Sequence, residues 1–257
     1  MDLNSFWNKD VKRNWERYKT ARERVVRHAV RPHEEKAEHE SQGRRVFAEG
    51  FGFYKLFWVF IICSILGAMI EFLFVGLTSG QWMSRSSLVM GQFSIVWGFG
   101  GTLMTWALHR LIDKDDRYIF ISGTILGGLF EYICSWLGEK MFGVIFWDYS
   151  HMRFNIDGRV NLTYCFFWGL AAVIWIKLVY PWMSKLIERL PILFGRLLTW
   201  LLVVFMLFDM AISSAALYRM NQRDKGYVAS NWAEEYVDEH YTDEWIEQRY
   251  RNMKKVD

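Results

Sequence analysis

The sequence predicts an all-α protein: a polytopic transmembrane bundle of five spans, built from two related helical hairpins plus one extra helix, with amphipathic terminal helices. Between Lys55 and Tyr218 lie five apolar runs of roughly 20 residues, the length that crosses a ~30 Å hydrocarbon core. Aromatic residues make up 18% of the chain, including 14 Trp, as expected where two membrane interfaces are filled. Both ends of the chain are highly charged and flank this apolar middle.

The N-terminal segment, residues 1–50, is predicted to be a cationic amphipathic helix followed by a linker. Residues 1–31 contain nine Lys or Arg against four Asp or Glu, and apolar residues recur there at helical spacing until Pro32. Such a helix either lies on an anionic membrane surface or docks on a cytoplasmic partner. The positive-inside rule places this basic segment in the cytoplasm.

The transmembrane domain is predicted to cover residues 51–218. Its spans are expected at about 54–77, 88–112, 118–137, 162–182 and 197–217, and Pro181 marks the end of the fourth. With the N-terminus in the cytoplasm, residues 78–87 and 139–161 lie outside and residues 113–117 and 183–196 lie inside. The protein is therefore predicted to be a multi-pass protein of the cytoplasmic membrane.

The C-terminal tail, residues 219–257, is acidic and aromatic and is then expected outside the membrane. Asn231 and Glu234 have the spacing of a capping box at a helix start. The aromatic residues that follow fall on roughly one helical face: Trp232, Tyr236, Tyr241 and Trp245. The tail is predicted to be a surface helix that covers the outer loops, and partner binding is the alternative.

Two segments of the apolar domain resemble each other. Residues 65–72 (ILGAMIEF) and 125–132 (ILGGLFEY) share the same pattern at an offset of 60, and the next helices carry WGFGG at 97–101 and WGLAA at 168–172. Each outer connection also contains an arginine, Arg85 and Arg159. The pattern predicts two hairpins with the same membrane orientation, related by an axis along the membrane normal.

Three carboxylates are predicted at similar membrane depth: Glu71, Glu131 and Asp209. A carboxylate at the centre of a membrane helix costs about 2.5–3.5 kcal/mol on insertion scales, so it normally faces a partner or a cavity. These acids could hold helices together, with Arg85 or Arg159 as partners. They could instead bind a cation, relay protons or contact an organic substrate. In that case the three acids and the two arginines would line a substrate or ion pathway, which is the first candidate site.

The connection between the third and fourth spans is the second candidate site. It combines charged, amide and aromatic side chains that could bind a polar head group or could pair among themselves at the interface. Its candidate residues are Glu139, Trp147, Asp148, Tyr149, His151, Asn155 and Asp157. Asp148 and Asn155 are typical turn and capping residues. The spacing of Asp148, His151 and Asp157 is weak for a metal site, so no metal is predicted.

Composition argues against several other functions. The net charge of +3 reflects basic residues beside membrane helices, so nucleic-acid binding is not expected. The three cysteines lie in apolar spans without metal-ligand spacing and are expected to be free thiols. No hydrolase, zinc-protease or phosphate-loop motif is present, so no cofactor is predicted and enzyme activity is not expected.

The motifs of the polar connection resemble one known family. They are EYICSWLGEKMF at 131–142, WDYS at 147–150, FNIDGR at 154–159 and FWGL at 167–170. In their order and spacing, the chain resembles the Putative ABC-transporter type IV family of bacterial integral membrane proteins, over about Phe57 to Pro181. The resemblance implies a permease of a bacterial membrane. The chain has no Walker A sequence, so the resemblance also implies a separate ATPase subunit.

The chain departs from this family after the first span. The family typically shows Asn-Arg-Gly there, followed by Gly-Pro and Pro-Ile-Tyr-Gly, whereas this chain has Ser84-Arg85-Ser86, then Gly91-Gln92, then Ser94 to Gly98. The arginine and the final glycine are kept, and both prolines are replaced. The sequence alone does not predict whether the backbone still breaks at this place.

Three functions remain open from the sequence. The first is a permease-like or transport-associated protein of the bacterial cytoplasmic membrane, with its substrate unidentified. The second is a non-transporting scaffold or sensor that recruits partners through its tails. The third is a membrane-embedded enzyme acting at the outer face through Asp148, His151 or Glu139. The lipid bilayer is the first partner expected, and five spans are few for a closed pathway, which favours a homo- or hetero-oligomer.

Overall fold

The structure, a computed structural model, describes residues 16–17, 19–20 and 46–256. The four described residues near the N-terminus are helical. The rest of the amphipathic helix predicted at 1–31, and the linker after it up to residue 45, lie outside the described residues.

Four helical stretches among the described residues are long and apolar enough to cross a membrane. They are α1 (Phe53–Ser79), α3 (Asp116–Phe142), the continuous stretch Leu162–Glu188 and α6 (Ile192–Asp224). The third consists of α4 (Leu162–Ile174), a π-helical segment (Trp175–Val179) and α5 (Tyr180–Glu188). These four correspond to the first, third, fourth and fifth predicted spans, each longer than the sequence indicated.

The second predicted span, 88–112, is wrong as a single helix. Only α2 (Ile95–Leu108) and a 3₁₀ turn (His109–Leu111) are helical, and the 14 residues of α2 rise only ~21 Å. Residues 80–94 are irregular, with Gly91 at φ 65°. The Ser86 hydroxyl accepts hydrogen bonds from the amides of Leu88 and Phe93, which gives this backbone partners outside any helix. The backbone is thus irregular here without the two prolines that the resemblance led us to expect.

The chain also departs from the prediction at Pro181, which does not end the fourth span. The helix continues through it to Glu188, and the π-helical segment lies directly before α5, where Pro181 occupies the first turn. Proline lacks an amide proton and clashes with the carbonyl four residues earlier. A locally widened π turn accommodates this defect without breaking the helix.

Helices α1 and α2 form an antiparallel pair. The Phe51 and His109 rings stack with centroids 3.9 Å apart, so α2 ends level with the start of α1. At the other end of α2, the Ser94 amide donates to the Ser64 carbonyl at 2.9 Å. Helices α3 and α4 pack in the same antiparallel manner, with Gly123 against Ala172.

The bundle therefore has two distinct ends. We call the end formed by residues 79–87 and 143–161 the loop end, and the end formed by residues 112–115 and 189–191 the turn end. The loop end carries two short antiparallel strand pairs, β2 (Asn155–Ile156) with β3 (Val160–Asn161) and β1 (Val144–Ile145) with β4 (Lys254–Lys255). Asp157 and Gly158 have φ values of 54° and 65° in the turn between β2 and β3.

The C-terminal tail forms two helices, α7 (Trp232–His240) and α8 (Asp243–Arg249). The Asn231 side chain accepts from the amides of Ala233 and Glu234, so the predicted helix start is confirmed. Thr242 starts a second helix, so the four aromatic residues do not share one face. Trp232 and Tyr236 are exposed, whereas Tyr241 and Trp245 pack on a core cluster at the loop end that includes Met220, Ile246 and Tyr250.

The tail packs on the connections of the loop end, which the sequence analysis expected it to cover. The Arg249 guanidinium donates to the carbonyls of Leu88 and Gly91, the first from Nη2 at 2.7 Å. The Asn252 amide donates to the Phe146 carbonyl at 3.1 Å. The tail thus fixes both the irregular segment 80–94 and the segment that follows α3.

Candidate functional site

A cavity of about 340 Å³ lies near the loop end, between α1, α2, α3 and α6. One part of its wall is polar and contains the Glu71 and Arg85 side chains together with several serines. The rest is apolar, from side chains such as Phe99, Leu137 and Met210. Its volume lies at the lower end of the range of small-molecule sites, about 300–1,000 Å³. Of the residues predicted from the sequence, the wall includes Glu71, Arg85 and Trp147.

Glu71 has a hydrogen-bond donor on each carboxylate oxygen. The Trp97 indole donates to Oε1 at 2.5 Å, and Arg85 Nε donates to Oε2 at 2.8 Å. The side chains of Arg85 and Glu71 remain 18% and 27% exposed, so this ion pair borders the cavity and is not sealed in the core. Arg85 is thus the partner of Glu71, which the sequence analysis left open as one alternative.

Trp97 reaches Glu71 because Gly67 leaves room for it. A Cβ on Gly67 would lie 2.2 Å from the Cβ of Trp97, a distance that real atoms do not reach. The same arrangement recurs in the other helix pair, where a Cβ on Gly127 would lie 2.4 Å from the Cβ of Trp168. The two tryptophan rings also contact each other, with centroids 5.8 Å apart.

Glu131, at the position matching Glu71, lies in a closed site. It is buried, its Oε1 accepts from the Tyr149 hydroxyl at 2.7 Å, and its Oε2 has no hydrogen-bond partner among the described residues. The Tyr149 ring stacks on Tyr164 with centroids 4.7 Å apart, so the loop covers the carboxylate. Burial, followed by the nearby Glu131 carboxylate, raises the pKa of Tyr149, so the phenol keeps the proton that it donates.

Arg159 does not pair with Glu131. Its Nη2 binds the Glu139 carboxylate and its Nη1 donates to Ser135 Oγ at 3.4 Å. The Arg159 carbonyl accepts from the Trp147 indole at 2.8 Å. Arg159 and Glu139 thus stabilise the end of the loop 143–161 against the end of α3.

Asp209 lies in a third, separate place. Its side chain is fully buried, and Oδ1 accepts from the Met90 amide at 3.1 Å and from Ser213 Oγ at 3.3 Å. Ser213 Oγ in turn accepts from the Val89 amide at 2.9 Å. Asp209 therefore holds the irregular segment against α6, and it touches the cavity only through Ser213, which lines it. Each of the three predicted acids has its own hydrogen-bond partners, and their grouping into one pathway stays a prediction.

The remaining loop candidates are engaged in turns and pairs. Asp148 Oδ1 accepts from the Ser150 amide and Oδ2 from Lys254, and these contacts, Ser150 first, lower the pKa of Asp148 to about 2. Asn155 Oδ1 accepts from the Gly158 amide, and Asp157 accepts from the Tyr132 hydroxyl. His151 is exposed. Within the described residues no group of three side chains could hold a metal ion.

Two polar clusters were missed by the sequence analysis. Buried Lys55 donates to Ser184 Oγ at 2.5 Å and pairs with Glu188, which joins α1 to α5 at the turn end. Arg219 and Arg223 near the end of α6 pair with acids of the tail, among them Asp238. The sequence did contain a signal for the first cluster. Lys55 and Glu188 have opposite charges and lie at span ends that the predicted topology places on the same side of the membrane.

The sequence also did not predict that several serines would line one cavity. Ser86, Ser87 and Ser94 come from the irregular segment, and Ser213 and Ser214 come from α6. They meet only because the segment folds back into the bundle, which periodicity does not predict.

Comparison with known proteins identifies the family of this chain. No curated protein and no solved structure matches the chain. The family described as Putative ABC-transporter type IV matches residues 58–214, which covers α1 to most of α6 and includes the cavity-lining ion pair. Because the match extends over more than half of the sequence, the chain belongs to this family of membrane proteins.

Proposed function

We propose that the protein is a permease-like, transport-associated component of the bacterial cytoplasmic membrane, and that its substrate site is the cavity beside Glu71 and Arg85. The observation that carries the proposal is an ion pair on the wall of a largely apolar cavity, within the segment that matches a transporter family. Charged groups at membrane depth are costly and usually mark the substrate or ion pathway. In this proposal the loop end faces outside and the turn end faces the cytoplasm.

The two helix pairs act in this proposal as related halves with the same orientation. A second close contact lies beside the one at Gly67 and Gly127, and it also occurs in both helix pairs. A Cβ on Gly98 would lie 2.1 Å from Ser64 Oγ, and a Cβ on Gly169 would lie 2.3 Å from Thr124 Oγ1. Ser64 and Thr124 are 60 residues apart, the offset of the sequence repeat. These matched contacts support two hairpins around one axis, plus α6.

Five crossings follow from the same proposal. The irregular segment 80–94 and α2 together return the chain to the turn end, because His109 stacks on Phe51. Non-helical backbone inside a membrane is tolerated where protein covers it. Here α6 supplies that cover through Asp209 and Ser213, and the tail adds Arg249. The C-terminal tail then lies outside.

ATP hydrolysis is assigned to a separate subunit that binds at the turn end. Lys114 is exposed there on the connection 112–115, and Lys185 is exposed in the last turn of α5. Affinity purification in mild detergent, followed by mass spectrometry of all copurifying proteins, tests this assignment. A stoichiometric partner with a Walker A motif is the expected result. Purification of the chain alone, or with partners that lack this motif, would contradict it.

A scaffold or sensor is the second candidate function, favoured by one observation. Glu131 and Asp209 both make contacts that hold loops in place, as structural acids do. A scaffold predicts that Glu71→Gln is silent while deletion of residues 225–257 abolishes function. The permease hypothesis predicts that an assembly purified with the Glu71→Gln variant loses ATP hydrolysis. Retained hydrolysis in that variant, with an intact assembly, would favour the scaffold.

A further inference from the structure

Arg85 and Arg159 occupy matching connections of the two helix pairs but have different partners. As a result, the Arg85 guanidinium lines the cavity. In the second half both terminal nitrogens of Arg159 are occupied, Nη2 by Glu139 and Nη1 by Ser135. In the first half the residues sixty positions before Ser135 and Glu139 are Val75 and Ser79. Neither offers a carboxylate, so Arg85 has no equivalent partner at the end of α1.

Arg85 instead uses only Nε to bind Glu71. Within the described part of the chain, its two terminal nitrogens have no hydrogen-bond partner. Glu71 is already held by Trp97, so it fixes the orientation of the guanidinium. The two terminal nitrogens of a fixed guanidinium form a planar fork that matches the oxygens of a phosphate or carboxylate.

The rest of the cavity is suited to an apolar chain. Apolar side chains of α2, α3 and α6 line the cavity as well, including Val96, Cys134 and Met210. Two more lining side chains, Phe99 and Leu137, are 48% and 41% exposed on the outer surface of the bundle. In a bilayer that surface faces lipid, so the apolar part of the cavity is continuous with the hydrocarbon.

We propose that the cavity binds an amphiphile with an anionic phosphate or carboxylate head group, which Arg85 holds, while its alkyl chain lies between α2, α3 and α6 towards the lipid. This deepens the proposed transport function and rests on it only for the statement that the ligand is the transported substrate. Glu71 acts as a positioning residue for Arg85. The hydroxyls of Ser87, Ser94 and Ser214, which also line the cavity, supply further donors for the head group.

The test is binding to the full-length protein in phosphatidylcholine nanodiscs, measured by native mass spectrometry. The probes are dodecyl phosphate, dodecyl trimethylammonium and inorganic phosphate, which separate the head-group charge from the chain. Dodecyl phosphate is expected to bind saturably at one molecule per chain, and neither of the other probes at the same concentration. Equal binding of the cationic amphiphile, or of phosphate alone, would overturn the proposal.

Variants locate the site. Arg85→Gln is expected to weaken dodecyl phosphate binding about tenfold or more, as for loss of a charge-assisted hydrogen bond of about 1.5–3 kcal/mol. The control is Arg153→Gln, which removes the same charge from an exposed loop position outside the cavity and should leave binding unchanged. If Arg85→Gln does not fold, Val96→Trp fills the apolar part instead and should abolish binding. Unchanged binding in a folded Arg85→Gln or Val96→Trp variant would overturn the proposal.

A labelling experiment places the ligand independently. In a Cys63→Ser, Cys165→Ser variant, Cys134 is the remaining thiol and lines the cavity. Dodecyl phosphate should slow its reaction with N-ethylmaleimide, and no slowing at saturating probe would contradict binding at this site. Neither experiment needs an ATPase or transport. Failure of the amphiphile proposal is therefore distinguishable from failure of the transport proposal.

Discussion

Glu71 and Glu131 show how one sequence pattern leads to two different environments. Each follows a glycine by four residues and lies beside a tryptophan of the paired helix. Glu71 finds an arginine and borders a cavity, whereas Glu131 is covered by Tyr149. The pattern identified both residues, but only the course of the two connections, irregular backbone in one and a strand pair in the other, decides which carboxylate stays accessible.

The hydroxyl of Tyr149 is expected to stabilise the buried Glu131 site. Replacement Tyr149→Phe removes the hydrogen bond to Oε1 of Glu131, whose Oε2 already has no partner among the described residues. We expect this to lower the free energy of unfolding by about 1–3 kcal/mol. Denaturant titration in detergent measures this. Tyr164→Phe is the matched control, because Tyr164 stacks on Tyr149 but its hydroxyl has no partner within the described residues. Equal stability of the two variants would contradict the assigned role.

Asp148 is expected to make the loop sensitive to acid. Its folded pKa of about 2 lies below its ordinary value of 3.8, so its contacts with Ser150 and Lys254 stabilise the fold fully above pH 4. That contribution is lost as the pH falls through about 2. Thermal unfolding in detergent between pH 5 and 2 should therefore depend less on pH in Asp148→Asn than in the parent protein. Parallel curves for the two proteins would show that Asp148 does not cause the dependence.

At the scale of elements, helix pairing depends on glycines that admit tryptophan side chains. Gly67→Ala and Gly127→Ala each place a Cβ against a tryptophan Cβ, and we expect each to cost about 1–3 kcal/mol through overpacking. Gly52→Ala is the control, because nothing lies within 4 Å of the added Cβ. Unfolding midpoints measured in one detergent compare the three variants. A Gly67→Ala variant as stable as the control would contradict the tight pairing of α1 with α2.

The tail is expected to hold the irregular segment in place. Arg249→Gln removes the guanidinium contacts to the carbonyls of Leu88 and Gly91, so the amides of residues 86–94 should exchange with deuterium about tenfold faster. Arg251→Gln is the control, since Arg251 is exposed and has no partner in the described part of the chain. Hydrogen exchange with mass spectrometry resolves this peptide. Equal exchange in both variants would show that α6 alone fixes the segment.

The long elements could be predicted from the sequence, and the irregular ones could not. Apolar runs of sufficient length identified α1, α3, the Leu162–Glu188 stretch and α6 because the bilayer sets their length. The second span was misread because hydropathy does not distinguish a helix from buried irregular backbone. Contacts from Ser86, Asp209 and Ser213 stabilise that backbone, and two of these residues lie more than a hundred positions away.

At the scale of the whole molecule, the candidate site was partly predictable. Burial cost alone singled out Glu71, Glu131 and Asp209, and the paired pattern added Arg85 and Arg159. Glu71 and Asp209 bind different residues of the segment 80–94, and Glu131 binds the loop between α3 and α4, so their grouping into one pathway stays a prediction. The cavity itself depends on how α6 and the tail cover the two hairpins, and single-helix patterns carry no information on that.

We propose that the chain is the membrane-embedded part of an ATP-driven assembly, with its turn end in the cytoplasm. Amine cross-linking of the assembly purified from native membranes, followed by mass spectrometry, tests this arrangement. The exposed Lys114 and Lys185 report on the turn end, and Lys140 and Lys254 report on the loop end. We expect links from the turn-end lysines to a subunit with a Walker A motif. Links to such a subunit from the loop-end lysines alone, or no such subunit at all, would contradict the claim.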